Sequence, residues 1–304
     1  MDSAKRGKPE DGTPEALPAA QVNFTPSAEL FPFASNWFES SVGRIHYVDE
    51  GSGRPILLFH GQPDWSFLYR HLIKMLRGKF RCIAPDYPGF GLSVRPKGYR
   101  YTPEEHSMII SELVEHLDLR DMIVMGQDWG GPIATGVALN APERVSGVVF
   151  GNTGCWPADF RTTLFSWIMS TWPIQWLIKH RNLFVRRLMP MMLKRSLTVE
   201  ELDHYLMAQP TAESRLGVAE FPRQLTRSKR WLAGLVARVP SELGSKRALL
   251  VWGMRDFGFV PKIYLPTWRD LYPDHEVVEL SAAGHYIQED APEEVADAII
   301  RRFA

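Results

Sequence analysis

Three residues, far apart in the sequence, carry the chemistry this chain could perform: Asp128, Asp256 and His285. Asp128 lies in Gly126-Gln127-Asp128-Trp129-Gly130-Gly131, after an apolar run over 122–125 and before a helical pattern through Pro132, Ile133, Val137 and Leu139. Strand, glycine-crowded turn and helix make a nucleophile elbow, in which small neighbours let the backbone bend sharply and expose one side chain. A serine at such an elbow attacks carbonyl carbon only after a histidine removes its proton. An aspartate, with an ordinary pKa of ~3.9, is ionised at neutral pH and needs no base. The helix N-terminus behind it favours that charge by roughly 0.3–1 kcal/mol. A carboxylate can displace a leaving group from saturated carbon, forming an alkyl ester, which leaves a histidine free to activate water for the second step. Aspartate at a helix start is also a common N-cap. The glycines on both sides and the partners elsewhere in the chain favour the nucleophile.

Each partner follows an apolar run of its own. Asp256 comes after Val251-Trp252-Gly253, and His285 stands in Gly284-His285-Tyr286 beyond Leu280. The imidazole pKa suits proton abstraction from water, and Asp256 would hold its tautomer and support the imidazolium. The turn His60-Gly61-Gln62-Pro63 follows the run 56–59. The backbone N–H of Gln62, with that of Trp129, could form an oxyanion hole for the tetrahedral intermediate. His60 is expected to satisfy loop backbone rather than react. Asp86, in the Pro- and Gly-rich stretch Pro85-Asp86-Tyr87-Pro88-Gly89-Phe90-Gly91, is likewise expected to be structural.

The elements that must bring these residues together can be read from periodicity. Short apolar runs at 45–48, 56–59, 82–84, 123–125, 148–150, 248–252 and 277–280 read as strands covered on both faces. Helical patterns lie between them. One begins at Thr102 with Pro103 at its first position and Glu105 completing a capping box; another closes the chain over 292–303. This alternation predicts an α/β fold with a mostly parallel central sheet flanked by helices. It lapses between about 154 and 243, a stretch rich in Met, Trp and Arg and broken by prolines. We expect a helical cap there, inserted over the carboxyl edge of a core formed by 31–153 and 244–304, with a pocket where the two meet. Residues 1–30 are polar, rich in Pro, Ala and Glu, and read as a flexible N-terminal arm.

Composition bounds the partners. At 304 residues the chain can bury a substantial core without metal or disulfide support. Lysine plus arginine and aspartate plus glutamate are equal at 35 each, with no basic stripe or basic amphipathic helix, so neither nucleic acid nor a membrane is an expected partner. Two distant cysteines, Cys82 and Cys155, suit free thiols in a reducing cytoplasm. The Trp-, Met- and Arg-rich stretch between about 154 and 243 could also hide a self-association face.

The quoted motifs, together with Trp252-Gly253-Met254-Arg255-Asp256 and His285-Tyr286-Ile287-Gln288-Glu289-Asp290, resemble the haloalkane dehalogenases of the α/β-hydrolase fold, from about Trp37 to the C-terminus. The order nucleophile, acid, histidine is that of α/β-hydrolases. The resemblance implies hydrolysis of a haloalkane to alcohol and halide, with water as co-substrate and no metal or organic cofactor. It implies that the departing halide is held by two side-chain donors, one of them Trp129, whose indole N–H donates but does not accept. Many relatives have asparagine as the second donor where this chain has Gln62, and others a cap tryptophan, a role open to Trp156. Relatives that place the acid before the cap have no match here, since Asn152 and Thr153 are not carboxylates, which leaves Asp256. Phe221, Pro222 and Tyr286 match positions that line the substrate cavity, while Trp167, Trp172 and Trp176 are expected to pack the cap. Epoxide hydrolases use the same triad but need cap tyrosines to protonate the opening oxygen, and Tyr205 is the only tyrosine between positions 156 and 231. Relatives that cleave carbon–fluorine bonds have arginine where Trp129 stands. A ligand-binding receptor or a luciferase-like relative is the remaining alternative, because fold does not fix function.

Overall fold

The computed structural model describes residues 24–304. Eight strands form one sheet: β1 (Asn36–Ser40), β2 (Gly43–Gly51), β3 (Pro55–Phe59), β4 (Arg81–Pro85), β5 (Met122–Gln127), β6 (Val145–Gly151), β7 (Arg247–Gly253) and β8 (His275–Leu280). Their order is β1-β2-β4-β3-β5-β6-β7-β8, antiparallel across β1, β2 and β4 and parallel from there on. Every apolar run read as a strand lies inside one of β2 to β8. The edge strand β1 was not anticipated, because it buries only Phe38 fully and carries no continuous apolar run.

Alternate residues on the central strands enter separate cores. Leu57, Phe59, Val124, Leu250 and Trp252 pack on one face of the sheet, and Ile56, Leu58, Ile123, Met125 and Val251 on the other. The first face is covered by α2 (Pro103–His116) and α3 (Gly130–Asn140), the second by α1 (Arg70–Leu76) and the closing α12 (Pro292–Phe303). The start of α2 is the capping box expected from its sequence: the Glu105 N–H donates to Thr102 Oγ1 at 3.2 Å, and the Thr102 N–H to Glu105 Oε2 at 3.3 Å.

Between β6 and β7 the chain forms six α-helices: α4 (Phe160–Ser170), α5 (Trp172–Arg181), α6 (Met189–Met192), α7 (Val199–Met207), α8 (Leu216–Arg227) and α9 (Lys229–Glu242). After β7 come α10 (Pro261–Leu271) and, beyond β8, the short α11 (Ile287–Asp290). Two expectations need correction. Of the stretch expected to be a flexible arm, residues 1–23 lie outside the described residues, but Phe24 packs edge-on against Trp65 and His204, and the Ser27 N–H donates to His204 Nε2 at 2.9 Å. Trp65, between β3 and α1, and His204 on the inserted α7 therefore hold the end of that stretch. Trp167, Trp172 and Trp176 do not pack the interior of the inserted helices; all three are exposed. Both cysteines are free and buried.

Candidate active site

Strand register gathers the site. β3 pairs Phe59 with Gly126, β5 pairs Gln127 with Gly151, and β7 pairs Gly253 with Leu280. The residues just beyond these pairs are therefore neighbours at one edge of the sheet, as ligands and catalytic groups are in open α/β sheets.

Asp128 sits at φ +53°, in the left-handed region that a non-glycine residue occupies at a cost of about 1–3 kcal/mol. Its neighbours allow the bend. A Cβ on Gly130 would lie 2.0 Å from the Phe59 carbonyl oxygen, and one on Gly126 would lie 2.4 Å from the Gly130 oxygen. The carboxylate oxygens have distinct surroundings. Oδ1 accepts the Gln62 backbone N–H at 2.9 Å, whereas Oδ2 faces His285 Nε2 at 3.6 Å. The Trp129 N–H opens α3, where N–H groups have no intrahelical acceptor.

His285 is buried, with Nδ1 2.8 Å from Asp256 Oδ2. Its ring stacks on Phe259 and meets Tyr286 edge-on. Burial lowers its proton affinity, but the nearby charges of Asp256 and Asp128 and the hydrogen bond to Asp256 more than offset this and push it up to about 10. Asp256 is buried too, which raises its pKa, yet His285, Asn152 and the Gly258 N–H together hold it below the usual carboxylate range. Asn152 Nδ2 donates to Asp256 Oδ2 at 2.8 Å, while its Oδ1 accepts the Gly253 N–H at 2.8 Å. Sequence reasoning dismissed Asn152 for not being a carboxylate. Its signal was its position just past β6, abreast of Asp128. Gln127 was also missed. Its side-chain nitrogen donates to the His285 carbonyl at 3.1 Å and lies 2.8 Å from His285 Nε2. The carbonyl bond fixes the amide orientation, since a carbonyl can only accept.

The two residues read as structural are so placed. His60 Nδ1 is 2.9 Å from the Gly61 oxygen, its Nε2 accepts the Tyr87 N–H, and burial lowers its pKa to about 4. Asp86 accepts N–H groups from Ser66 and Leu92 and pairs with His46.

Asp128 and His285 open onto a cavity of about 420 Å³, bounded by Gln62, Trp129, Trp156, Pro222, Tyr264 and Tyr286, with Phe165, Leu188 and Met191 from the inserted helices. Phe221, expected in its lining, lies behind it: the ring is fully buried and stacks on Trp129 at 5.4 Å, because its position on α8 turns it toward the core while Pro222 faces the cavity. Among the described residues, neither the Trp129 nor the Trp156 indole N–H has a protein acceptor. Gln62 Nε2 donates one hydrogen to the Val218 carbonyl at 2.7 Å, which turns its nitrogen toward α8 and leaves one N–H uncommitted.

Comparison with known proteins places this geometry. Residues 54–292 match the α/β-hydrolase fold family. The chain is 52% identical over 283 residues to Haloalkane dehalogenase 2 of Mycobacterium tuberculosis (strain ATCC 25618 / H37Rv), covering 93% of this chain and 99% of that one. It is 31% identical to a cis-3-alkyl-4-alkyloxetan-2-one decarboxylase of Shewanella oneidensis, over 88% of this chain and 87% of that one. Among solved structures, haloalkane dehalogenase DatA from Agrobacterium tumefaciens C58 superposes with a TM-score of 0.80 at 25% identity, over 92% of this chain and 100% of that one. With an aspartate at the elbow, the triad order on the strand ends and half of its residues shared with a curated relative over nearly the full length, this chain belongs to the haloalkane dehalogenase family of the α/β-hydrolase fold.

Proposed function

We propose that the protein hydrolyses haloalkanes to alcohol and halide through an ester on Asp128, with Asp128, His285 and Asp256 as the catalytic residues. The observation that carries this is the unequal setting of the two Asp128 oxygens. Oδ1 already accepts the Gln62 N–H, so Oδ2, on the His285 side, is the oxygen free to attack. It forms the carbon–oxygen bond as the carbon–halogen bond breaks, and the halide leaves with the bonding pair. Trp129 donates its indole N–H to that anion, and the uncommitted N–H of Gln62 or the indole of Trp156 supplies the second donor. A bond of this charged kind is worth roughly 1.5–3 kcal/mol.

Esterification removes the charge of Asp128, one of the two anions that raise the His285 pKa, so the imidazole becomes a base suited to neutral pH. His285 Nε2 takes a proton from water, and the hydroxide adds to the ester carbonyl. The Gln62 and Trp129 N–H groups hold the oxyanion. Collapse expels the alkoxide, which takes the proton from His285 to give alcohol, and leaves Asp128 as a carboxylic acid; its proton passes to His285 and on to solvent, which restores the carboxylate. Asp256, aligned by Asn152, keeps Nδ1 protonated throughout. The inserted helices act as the cap that closes the cavity, Trp156, Pro222 and Tyr286 form its substrate-facing wall, and Phe221 supports it through Trp129.

Epoxide opening by the same triad would need an acid on the leaving oxygen. Tyr205 is fully buried and donates to Glu289 at 2.5 Å, while the cavity tyrosines Tyr264 and Tyr286 are engaged with Thr162 Oγ1 and the Gln62 carbonyl. Exposure of His285→Phe to a bromoalkane tests the haloalkane reading. The intact protein is expected to gain the mass of the alkyl group, mapped to Asp128, with one equivalent of bromide released. No adduct, or an adduct on another residue, would sink the two-step route. Parallel panels of epoxides and of four-membered lactones, the substrate class named for the 31% relative, would show whether strained rings are preferred instead.

A further inference from the structure

The helix α4 is amphipathic the wrong way round. Phe160, Leu164, Trp167 and Ile168, at the i, i+4, i+7, i+8 spacing that usually faces a core, are all exposed, Phe160 at 82% and Trp167 at 68%. Its inward side carries hydroxyls and a single buried apolar side chain, Met169. Ser166 is fully buried and donates to the Pro222 carbonyl at 2.7 Å, Ser170 donates to the Ser166 carbonyl, and Thr162 meets the Tyr264 hydroxyl. The next helix extends the outward stripe with Trp172, 78% exposed, and Trp176 one turn on, against which His180 stacks. An apolar face this continuous marks a contact surface rather than scattered exposed residues.

Charge identifies the contact. No aspartate or glutamate occurs between Asp159 and Glu200, although the whole chain is neutral. The same segment presents Arg161, Arg181, Arg186, Arg187 and Lys194 at exposed positions, and none of these five forms a salt bridge among the described residues. A second copy docking the same face on a two-fold axis would bring these like charges together. We infer that the α4–α5 face seats on an anionic lipid bilayer, its tryptophans at the headgroup level and its basic side chains against lipid phosphates. Phe165 on α4 and Met191 on α6 are both exposed and both line the cavity, so the cavity reaches the surface beside this face, where apolar molecules dissolved in the membrane could enter it. The expectation of no membrane partner came from net charge and from helices read one at a time. Arg161 stands on α4 itself and Arg181 ends α5 beside Trp176, so basic groups share the helices that carry the outward rings.

Sedimentation with vesicles of phosphatidylglycerol mixed with phosphatidylcholine, against vesicles of phosphatidylcholine alone, reads this partition without relying on catalysis. The unaltered protein is expected to bind the anionic vesicles and to release in high salt. Trp167→Ser combined with Trp172→Ser is expected to weaken binding by about ten-fold or more. Arg186→Glu combined with Arg187→Glu is expected to do at least as much, since each basic residue near an anionic surface contributes about five-fold. The thermal midpoint should be unchanged in both, because these side chains are exposed. Absence of binding, equal binding to both vesicle types or undiminished binding by the double variants would overturn the inference. So would a dimer that the tryptophan variant dissociates in a protein that ignores vesicles.

Discussion

The flank of the inserted helices that carries Arg195, Glu201 and Tyr205, and the flank that carries Phe160, Trp167 and Trp172, place their side chains by opposite physics. On the first, charge is buried. Arg70 on α1, Glu289 on α11 and Glu201 on α7 are almost fully enclosed, and Arg70 bonds Glu289 Oε1 at 2.5 Å and Glu201 Oε1 at 2.7 Å, with Arg195 bonding both carboxylates. The adjoining chain docks onto the His285 loop: the His285 N–H donates to the Met192 carbonyl, and the Lys194 and Arg195 N–H groups to Asp290 Oδ1. On the second flank, aromatic rings face outward and hydroxyls inward. One flank ties the inserted helices to α1 and α11, and the rings of the other are turned to solvent. Buried ion pairs cost desolvation and are fixed by geometry, so the first flank is the one where a change should be felt throughout the fold.

The largest test of that contrast is Glu289→Ala, which leaves the Arg70 guanidinium buried beside a single remaining carboxylate. We expect a loss of about 3–5 kcal/mol in urea-unfolding stability; a loss below about 1 kcal/mol would show that this flank is not an anchor. Next is the pH dependence set by His285. Its pKa in the folded protein, about 10, lies above its ordinary value of 6.5, so the folded state holds the extra proton between them. The stabilisation is complete below about 6.5 and is lost as pH rises through about 10, on the order of a few kcal/mol. His285→Phe should flatten the unfolding free energy across that window, and a slope identical to that of the unaltered protein would place the titration elsewhere. Asn152→Ala should leave Asp128 able to form the ester but misalign Asp256. Turnover is then expected to fall about 10–100-fold, with slower ester hydrolysis seen as adduct accumulating during reaction; an unchanged rate would reduce Asn152 to a loop brace. At the small end, Trp172→Ser on the outward flank should change unfolding stability by no more than about 0.5 kcal/mol. A larger loss would mean that the exposed rings pack against something within the chain.

How far the sequence could be read follows the same division. The sheet was legible because each buried strand is a continuous apolar run, and the triad was legible because each member follows such a run within a few residues. The roles of Asn152 and Gln127 were not, because an amide is chemically silent until its partners are known. Gln62 was read as standing in the place of the second halide donor, yet the Val218 carbonyl on α8, far away in sequence, decides where its amide points. Phe221 and Pro222 are consecutive, and only the rotation of α8 decides that one faces the cavity and the other backs Trp129.

Residue type and local strand–turn–helix pattern are enough to give the order of Asp128, Asp256 and His285 and to favour a carboxylate as the nucleophile. Packing of distant segments settles which oxygen of Asp128 is left without a hydrogen bond, which amides brace His285 and Asp256, and that the apolar stripe of α4 turns away from the core. Those outcomes depend on distances between segments tens to hundreds of residues apart, and helical periodicity shows that a stripe exists without showing which way it faces.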